Sequence, residues 1–266
     1  MKAPTELLKN LRAKRPLIHH LTNVVTVNDC ANMTLALGGA PVMTEDDGDA
    51  LEMAGYAGAL VINMGTLDAR SLGRMIEVGR KARGMGKPVV FDPVGAGATK
   101  VRREAALRIL TEVKPTIVKG NAAEILFLAG AAVAQKGVDA DASDDAAKAV
   151  GRLAQAHGCV VAATGPIDYV SDGKHTARLE GGDGYLARIT GTGCMTASLT
   201  GCCAAAEGDA FAAAVYAILC MKVAGEKAAG ALAPGEGVGH FRIRLLDAVS
   251  LLHDGDLRFE GRVYDV

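Results

Sequence analysis

Gly58-Ala59-Leu60-Val61-Ile62-Asn63-Met64 is a short apolar run stopped by Gly65. It is too brief for a helix of ordinary length, and its apolar residues follow one another without alternation, as in a strand covered on both faces. Residues 66–85 then place Leu67, Leu72, Met75 and Ile76 near one side of a helix. Pro88-Val89-Val90-Phe91 follows as a second strand ending at Asp92. The alternation continues along the chain. Residues 101–113 read as a helix, Thr116-Ile117-Val118 as a strand, and Asn121 opens a helix through Leu128. Ser143 caps a helix running to His157, and Cys159-Val160-Val161-Ala162-Ala163 is the next strand. Residues 167–179 form a hairpin turning at Asp172-Gly173, and 193–206, 209–229 and 241–252 read as helices. Strands alternating with helices imply the α/β class, with a mostly parallel sheet between helical layers. Neither a long polar linker nor an internal repeat interrupts residues 1–266, which read as a single domain.

Half of the chain is hydrophobic and 22% is charged, enough for a substantial core. Aromatic residues are only 4%, with no Trp, which argues against stacking-based binding of single-stranded nucleic acid. A net charge of −1 offers no basic footprint for nucleic acid or an anionic membrane. The opening Met1-Lys2-Ala3-Pro4-Thr5-Glu6 lacks a signal-peptide apolar region, and no apolar run has the length of a membrane span. The expectation is a cytoplasmic protein with neither nucleic-acid nor membrane partners. None of the six cysteines forms a C-x-x-C pair; Cys30, Cys159, Cys202, Cys203 and Cys220 read as buried, reduced thiols.

Cys194 stands apart. It belongs to Arg188-Ile189-Thr190-Gly191-Thr192-Gly193-Cys194-Met195, which opens a helix of small and apolar residues. Free N–H groups at a helix start, together with the helix dipole, attract anions, and glycines let the backbone approach closely. Gly-Thr-Gly also serves as an ordinary strand-to-helix turn. Other polar residues cluster where ligands collect in α/β sheets, at the carboxyl ends of strands: Asn63-Met64-Gly65, Asp92-Pro93-Val94-Gly95, Lys119-Gly120-Asn121 and Thr164-Gly165. Asp92 is either a turn cap before proline or an oxygen ligand for Mg²⁺. Asn121 and Glu124, three apart, are either a capping box or a water-mediated clamp on Mg²⁺ and phosphate. Lys119 is either solvated or a point charge for phosphate, and Thr164 either part of a plain turn or a phosphate donor. Asn23 is a cap or a substrate contact, and Met43 core filling or a pocket wall. His19 and His20 lack partners at metal-ligand spacing and read as structural or exposed.

In order along the chain, Leu21-Thr22-Asn23-Val24-Val25, Ala36-Leu37-Gly38-Gly39-Ala40-Pro41-Val42-Met43, Asp92-Pro93-Val94-Gly95-Ala96-Gly97, Lys119-Gly120-Asn121-Ala122-Ala123-Glu124, Thr164-Gly165 with Asp168-Tyr169-Val170-Ser171-Asp172-Gly173, and Thr190-Gly191-Thr192-Gly193-Cys194 resemble the hydroxyethylthiazole kinases, a branch of the ribokinase-like superfamily. The resemblance implies ATP- and Mg²⁺-dependent phosphorylation of the primary alcohol of 4-methyl-5-(2-hydroxyethyl)thiazole, a step that feeds thiamine phosphate synthesis. It implies a ribokinase-like fold, with helices on both faces of the sheet. It gives Met43, Gly191 and Asn23 to the thiazole, Lys119, Thr164 and Asn121 to ATP, Asp92 and Glu124 to the metal, and Gly193 and Cys194 to the reacting centre. It further implies a homotrimer with active sites at subunit interfaces. Many relatives carry Arg where this chain has Lys119, exchanging a forked phosphate contact for a single one. The wider superfamily carries an aspartate base where this chain has Cys194. Two alternatives share the fold: another small-alcohol kinase, of hydroxymethylpyrimidine type, and an ADP- or ATP-dependent NAD(P)H-hydrate dehydratase. A catalytically silent thiazole or nucleotide sensor is a third.

Overall fold

The computed structural model describes residues 4–130 and 141–266. The strands are β1 (Leu17–Leu21), β2 (Ala40–Met43), β3 (Ala59–Asn63), β4 (Val89–Asp92), β5 (Ile117–Asn121), β6 (Val160–Thr164), β7 (Asp168–Ser171), β8 (Thr176–Leu179) and β9 (Val263–Asp265). They form one nine-stranded sheet in the order β2-β1-β3-β4-β5-β6-β7-β8-β9. β1 to β6 pair in parallel, and β7, β8 and β9 continue the sheet antiparallel. The six parallel strands therefore end along one rim.

Successive residues of a strand point to opposite faces. In β3, Ala59 and Val61 enter one core while Leu60 and Ile62 enter the other. The first core is completed by α1 (Leu7–Lys14), α2 (Val27–Leu37), α8 (Thr192–Ala206), α9 (Ala210–Gly230) and α10 (Val238–Ser250). The second is covered by α3 (Asp47–Tyr56), α4 (Ala69–Gly84), α5 (Lys100–Val113), α6 (Ala122–Leu128) and α7 (Asp141–His157). Every residue of β3 is buried, which explains its unbroken apolar run. The fold is α/β with helices on both faces of a mostly parallel sheet, as the sequence predicts.

The differences are local. The helix predicted at 66–85 begins at Ala69, because Asp68 and Ser71 close a capping box ahead of it. α7 is described from Asp141 to His157, so Ser143 lies within its span. α10 runs from 238 to 250 where 241–252 was expected, with Gly237 as its cap. The sequence reading does not contain β1, β2 or β9. β1 holds two consecutive histidines, both fully buried: His19 Nε2 meets the Thr44 hydroxyl at 2.7 Å, and His20 Nδ1 donates to the Ile18 carbonyl at 3.0 Å. Burial pushes both imidazoles down to about 4.

α8 has no solvent side over residues 195–204. Its hydroxyl residues bury their polar groups by bonding back along the helix. Thr196 Oγ1 donates to the Thr192 carbonyl at 2.7 Å and Thr200 Oγ1 to that of Thr196 at 2.8 Å. Ser198, which donates to the Cys194 carbonyl at 3.3 Å, also meets His20 Nε2 at 3.2 Å. The helix start at the strand rim is thereby tied to β1.

Candidate active site

A cavity of about 920 Å³ opens along this rim. Asn23, Asp92, Lys119, Asn121, Glu124, Thr164, Gly191, Gly193 and Cys194 all line it, although they come from five separate segments of the chain. Met43 does not line the cavity; it ends the edge strand β2, half-buried and paired with His20.

The turn into α8 depends on Gly191. Its φ of +88° is left-handed, and a Cβ there would stand 2.6 Å from Thr26 Cγ2. With this turn the first residues of the helix, Thr192 to Cys194, line the cavity.

Three amide and carboxylate side chains meet beside Cys194. Asn23 Nδ2 donates to Asn63 Oδ1 at 2.9 Å, and Asn63 Nδ2 donates to Asp92 Oδ2 at 2.7 Å. Both Nδ2 groups also reach Cys194 Sγ, at 3.4 Å from Asn23 and 3.2 Å from Asn63. Asn23 Oδ1 accepts from the Thr26 backbone N–H and hydroxyl, which holds the amide in this orientation. The half-buried sulfur thus sits at the helix start as an acceptor for two positioned donors. The sequence reading put Asn63 among the polar strand ends but gave it no role in the site. Its signal is a lone amide closing an otherwise apolar strand, directly before the Met64-Gly65 turn.

Lys119 does not project into water. Only 3% of its side chain is exposed; Nζ donates to the Gly193 carbonyl at 3.1 Å and lies 4.0 Å from Asp92 Oδ1. Burial pushes the Asp92 carboxyl up to about 6, with Lys119 opposing the rise and Glu124 adding to it. At the start of α6 the capping box is present in full. Asn121 Oδ1 accepts from the Glu124 N–H, and Glu124 Oε2 accepts from the Asn121 N–H. Glu124 Oε1 takes the Gly95 N–H at 2.8 Å, so its carboxylate joins the loop after β4 to that after β5. Thr164 Oγ1 donates to the Gly120 carbonyl at 3.2 Å.

Among the described residues, no group of three or more His, Cys, Asp or Glu side chains could hold a metal alone. Asp92 and Glu124 are two carboxylates on one cavity. Each oxygen of Glu124 has one lone pair in use and one to spare. That donor set suits Mg²⁺, which keeps several waters and is commonly held by one or two carboxylates plus phosphate oxygens.

On the rim of a doubly covered parallel sheet, a helix start, a buried lysine and two carboxylates share one cavity, an arrangement suited to binding a phosphorylated small molecule. The comparisons narrow the class. The model of the hydroxyethylthiazole kinase family matches residues 8–254. The hydroxyethylthiazole kinase of Alkaliphilus oremlandii (strain OhILAs) is 43% identical over 98% of this chain and 97% of its own. That of Methanosphaerula palustris is 45% identical over 92% of each. Among solved structures, the hydroxyethylthiazole kinase protein from Pyrococcus horikoshii OT3 superposes with a TM-score of 0.87 at 38% identity, covering 98% of both chains. The pyridoxal kinase of Staphylococcus aureus in complex with AMP-PCP shares the fold, with a TM-score of 0.60 at 17% identity over 79% of this chain and 88% of its own. The chain belongs to the hydroxyethylthiazole kinase family and is a kinase. Membership favours the thiazole-kinase family over the dehydratase and hydroxymethylpyrimidine-kinase families.

Proposed function

We propose that the protein transfers the γ-phosphoryl group of ATP to the primary hydroxyl of 4-methyl-5-(2-hydroxyethyl)thiazole, making a phosphate ester for thiamine phosphate synthesis. The observation that carries the mechanism is the convergence of Gly191–Cys194, Lys119 and Asp92 within one cavity. Phosphoryl transfer demands mainly positioning and neutralised charge around a loose transition state. The N–H groups at the α8 start receive the transferring phosphoryl oxygens, and Lys119, already held between Asp92 and Gly193, supplies a positive charge beside them. The Thr164 hydroxyl turns from the Gly120 carbonyl to a phosphate oxygen, while Asn121 walls the nucleotide side. Asp92 and Glu124 would hold Mg²⁺ together with phosphates and water; when bound, the ion neutralises charge on the triphosphate.

At the other end, Asn23 and Gly191 border the thiazole. The substrate hydroxyl lies by Cys194 Sγ, whose position is fixed by the Asn23 and Asn63 amides. Because the alcohol proton leaves late in a loose transition state and can pass to an oxygen of the transferred phosphoryl group, Cys194 need not act as a base where relatives of the wider fold place a carboxylate.

The reading also takes residues 1–266 as one cytoplasmic kinase domain that assembles as a homotrimer. Two features support subunits meeting at the site. Val24 and Val25 are 68% and 64% exposed next to the cavity, and Met43, assigned to the thiazole, lies at the open sheet edge. From there Met43 would complete a neighbouring subunit's pocket. The test is incubation of the protein with the thiazole alcohol and MgATP, with mass detection of the ester. No ester from folded protein refutes the reading; light scattering of the same sample reports the trimer.

A further inference from the structure

The cavity is walled at its far end by two glycine-containing turns, Gly165-Pro166 after β6 and Gly181-Gly182 after β8, and neither is held by the sheet alone. Both are gripped from α9. Lys222 is a single cation in an otherwise buried stretch of that helix, 5% exposed. Its Nζ donates to the Gly181 carbonyl at 2.8 Å and the Pro166 carbonyl at 3.3 Å, and pairs with Asp168 Oδ2 at 3.0 Å. Asp168 Oδ1 in turn accepts the Gly165 N–H at 2.7 Å. One helical turn on, Glu226 Oε1 accepts the Gly182 N–H at 2.7 Å, and Arg262, just before β9, holds Glu226 through both oxygens at 2.7 and 2.6 Å. The single peptide group joining Gly181 to Gly182 is thus held at both ends by residues four apart on one helix, its carbonyl by Lys222 and its N–H by Glu226. Gly181, at φ +97°, lies so close that a Cβ would stand 2.6 Å from Glu226 Oε1.

All three ammonium protons of Lys222 have an acceptor, and burying the Lys222–Asp168 charges is a poor route to stability compared with apolar packing. What the pair does achieve is geometric: it fixes the separation of the two turns that flank the way past Thr164. We infer that Lys222 and Glu226 are positioning residues that set the nucleotide end of the cavity, acting through Asp168 and the Gly181-Gly182 turn. The thiazole end, bordered by Asn23 and Cys194, shares no hydrogen bond with them among those described above.

This inference rests on the cavity being an ATP site, which the unmodified protein tests separately by ester formation and thermal stabilisation with ADP. The variants are Lys222→Met and the paired Asp168→Asn/Lys222→Met. The single change strands a buried carboxylate and threatens folding. The pair removes both charges while leaving an amide oxygen for Gly165. In the folded pair variant, KM for ATP rises about tenfold, as expected for losing the lysine's hydrogen bonds to the Gly181 and Pro166 carbonyls, ADP stabilisation shrinks, and KM for the thiazole alcohol stays within about twofold. Equal rises in both KM values, or a KM for ATP within about twofold of the parent, overturn the inference, because a purely structural ion pair predicts recovery once both charges are gone. Glu226→Ala gives the same split between the two KM values; an equal rise in both refutes the role of Glu226. Absence of ATP-dependent ester from the parent protein overturns the ATP reading, and the inference with it.

Discussion

Replacing Lys119 by methionine tests the charge arrangement most directly. Nζ lies 4.0 Å from Asp92 Oδ1 with both side chains 3% exposed, so solvent screens the pair weakly. At an effective dielectric constant of about 20, that separation corresponds to about 4 kcal/mol, or about three pKa units on the carboxyl. Asp92 is already pushed up to about 6 by burial, with Lys119 holding it down. Without the ammonium, Asp92 becomes a neutral acid at pH 7, and the cavity loses a cation for phosphate and an anion for the metal together. The expected fall in kcat/KM for ATP is about 10²–10³-fold. Lys119→Arg, the residue many relatives carry, is expected to keep most of the activity. A double-mutant cycle with Asp92→Asn isolates the pair: the double variant loses much less than the product of the single losses. The reasoning is refuted by a Lys119→Met enzyme within about fivefold of the parent, or by single losses that simply multiply.

Cys194→Ser is expected to keep part of the turnover, because a hydroxyl oxygen can accept the same two amide N–H groups, and Cys194→Asp to match or exceed the parent. A folded Cys194→Asp protein that binds both substrates without turnover would refute an acceptor at this position. The buried histidines make stability depend on pH. Their imidazoles are pushed down to about 4 in the folded protein, against about 6.5 unfolded. The unfolded chain therefore takes up protons first as pH falls, and stability is lost from about pH 6.5 down to about pH 4. At pH 5 the loss is about 2 kcal/mol for each histidine. Urea midpoints at pH 7 and pH 5 measure it; His20→Gln should remove about half of the difference, and equal midpoints in the parent would contradict the burial argument.

Strands β3 to β6 were legible because their runs are short and apolar, and β7 and β8 because Asp172-Gly173 marks the turn of a hairpin. β1 was not, because its His19-His20 pair looks polar until Thr44, Ser198 and the Ile18 carbonyl are seen to take three of its four ring nitrogens, His19 Nδ1 staying buried without a partner. β2 and β9, of four and three residues, are too short for a period to register and exist through pairing with their neighbours. The start of α4 was legible in principle from Asp68 and Ser71, a capping pair that the apolar pattern obscured. In the site, strand-end motifs identified nine residues of one cavity, yet no spacing in the chain joins Asn63 to Cys194, 131 positions away. Lys222 shows the same limit: a cation in an apolar helix marks an exception, but only the fold shows which turns it holds.

The burial of α8 has a consequence for how substrates meet the enzyme. A helix whose hydroxyls are bonded back to its own carbonyls, and whose sides are packed all round, cannot rotate or slide to suit a ligand without opening the core. The ordering of the Gly191–Cys194 turn is therefore accomplished when the chain folds, not when a ligand arrives. Little reorganisation is left for the reaction step, and substrates must adapt to the turn. Selectivity among alcohols then falls to the more adaptable residues on the opposite wall, where an enlarged or reshaped acceptor could be accommodated with the phosphate geometry left intact.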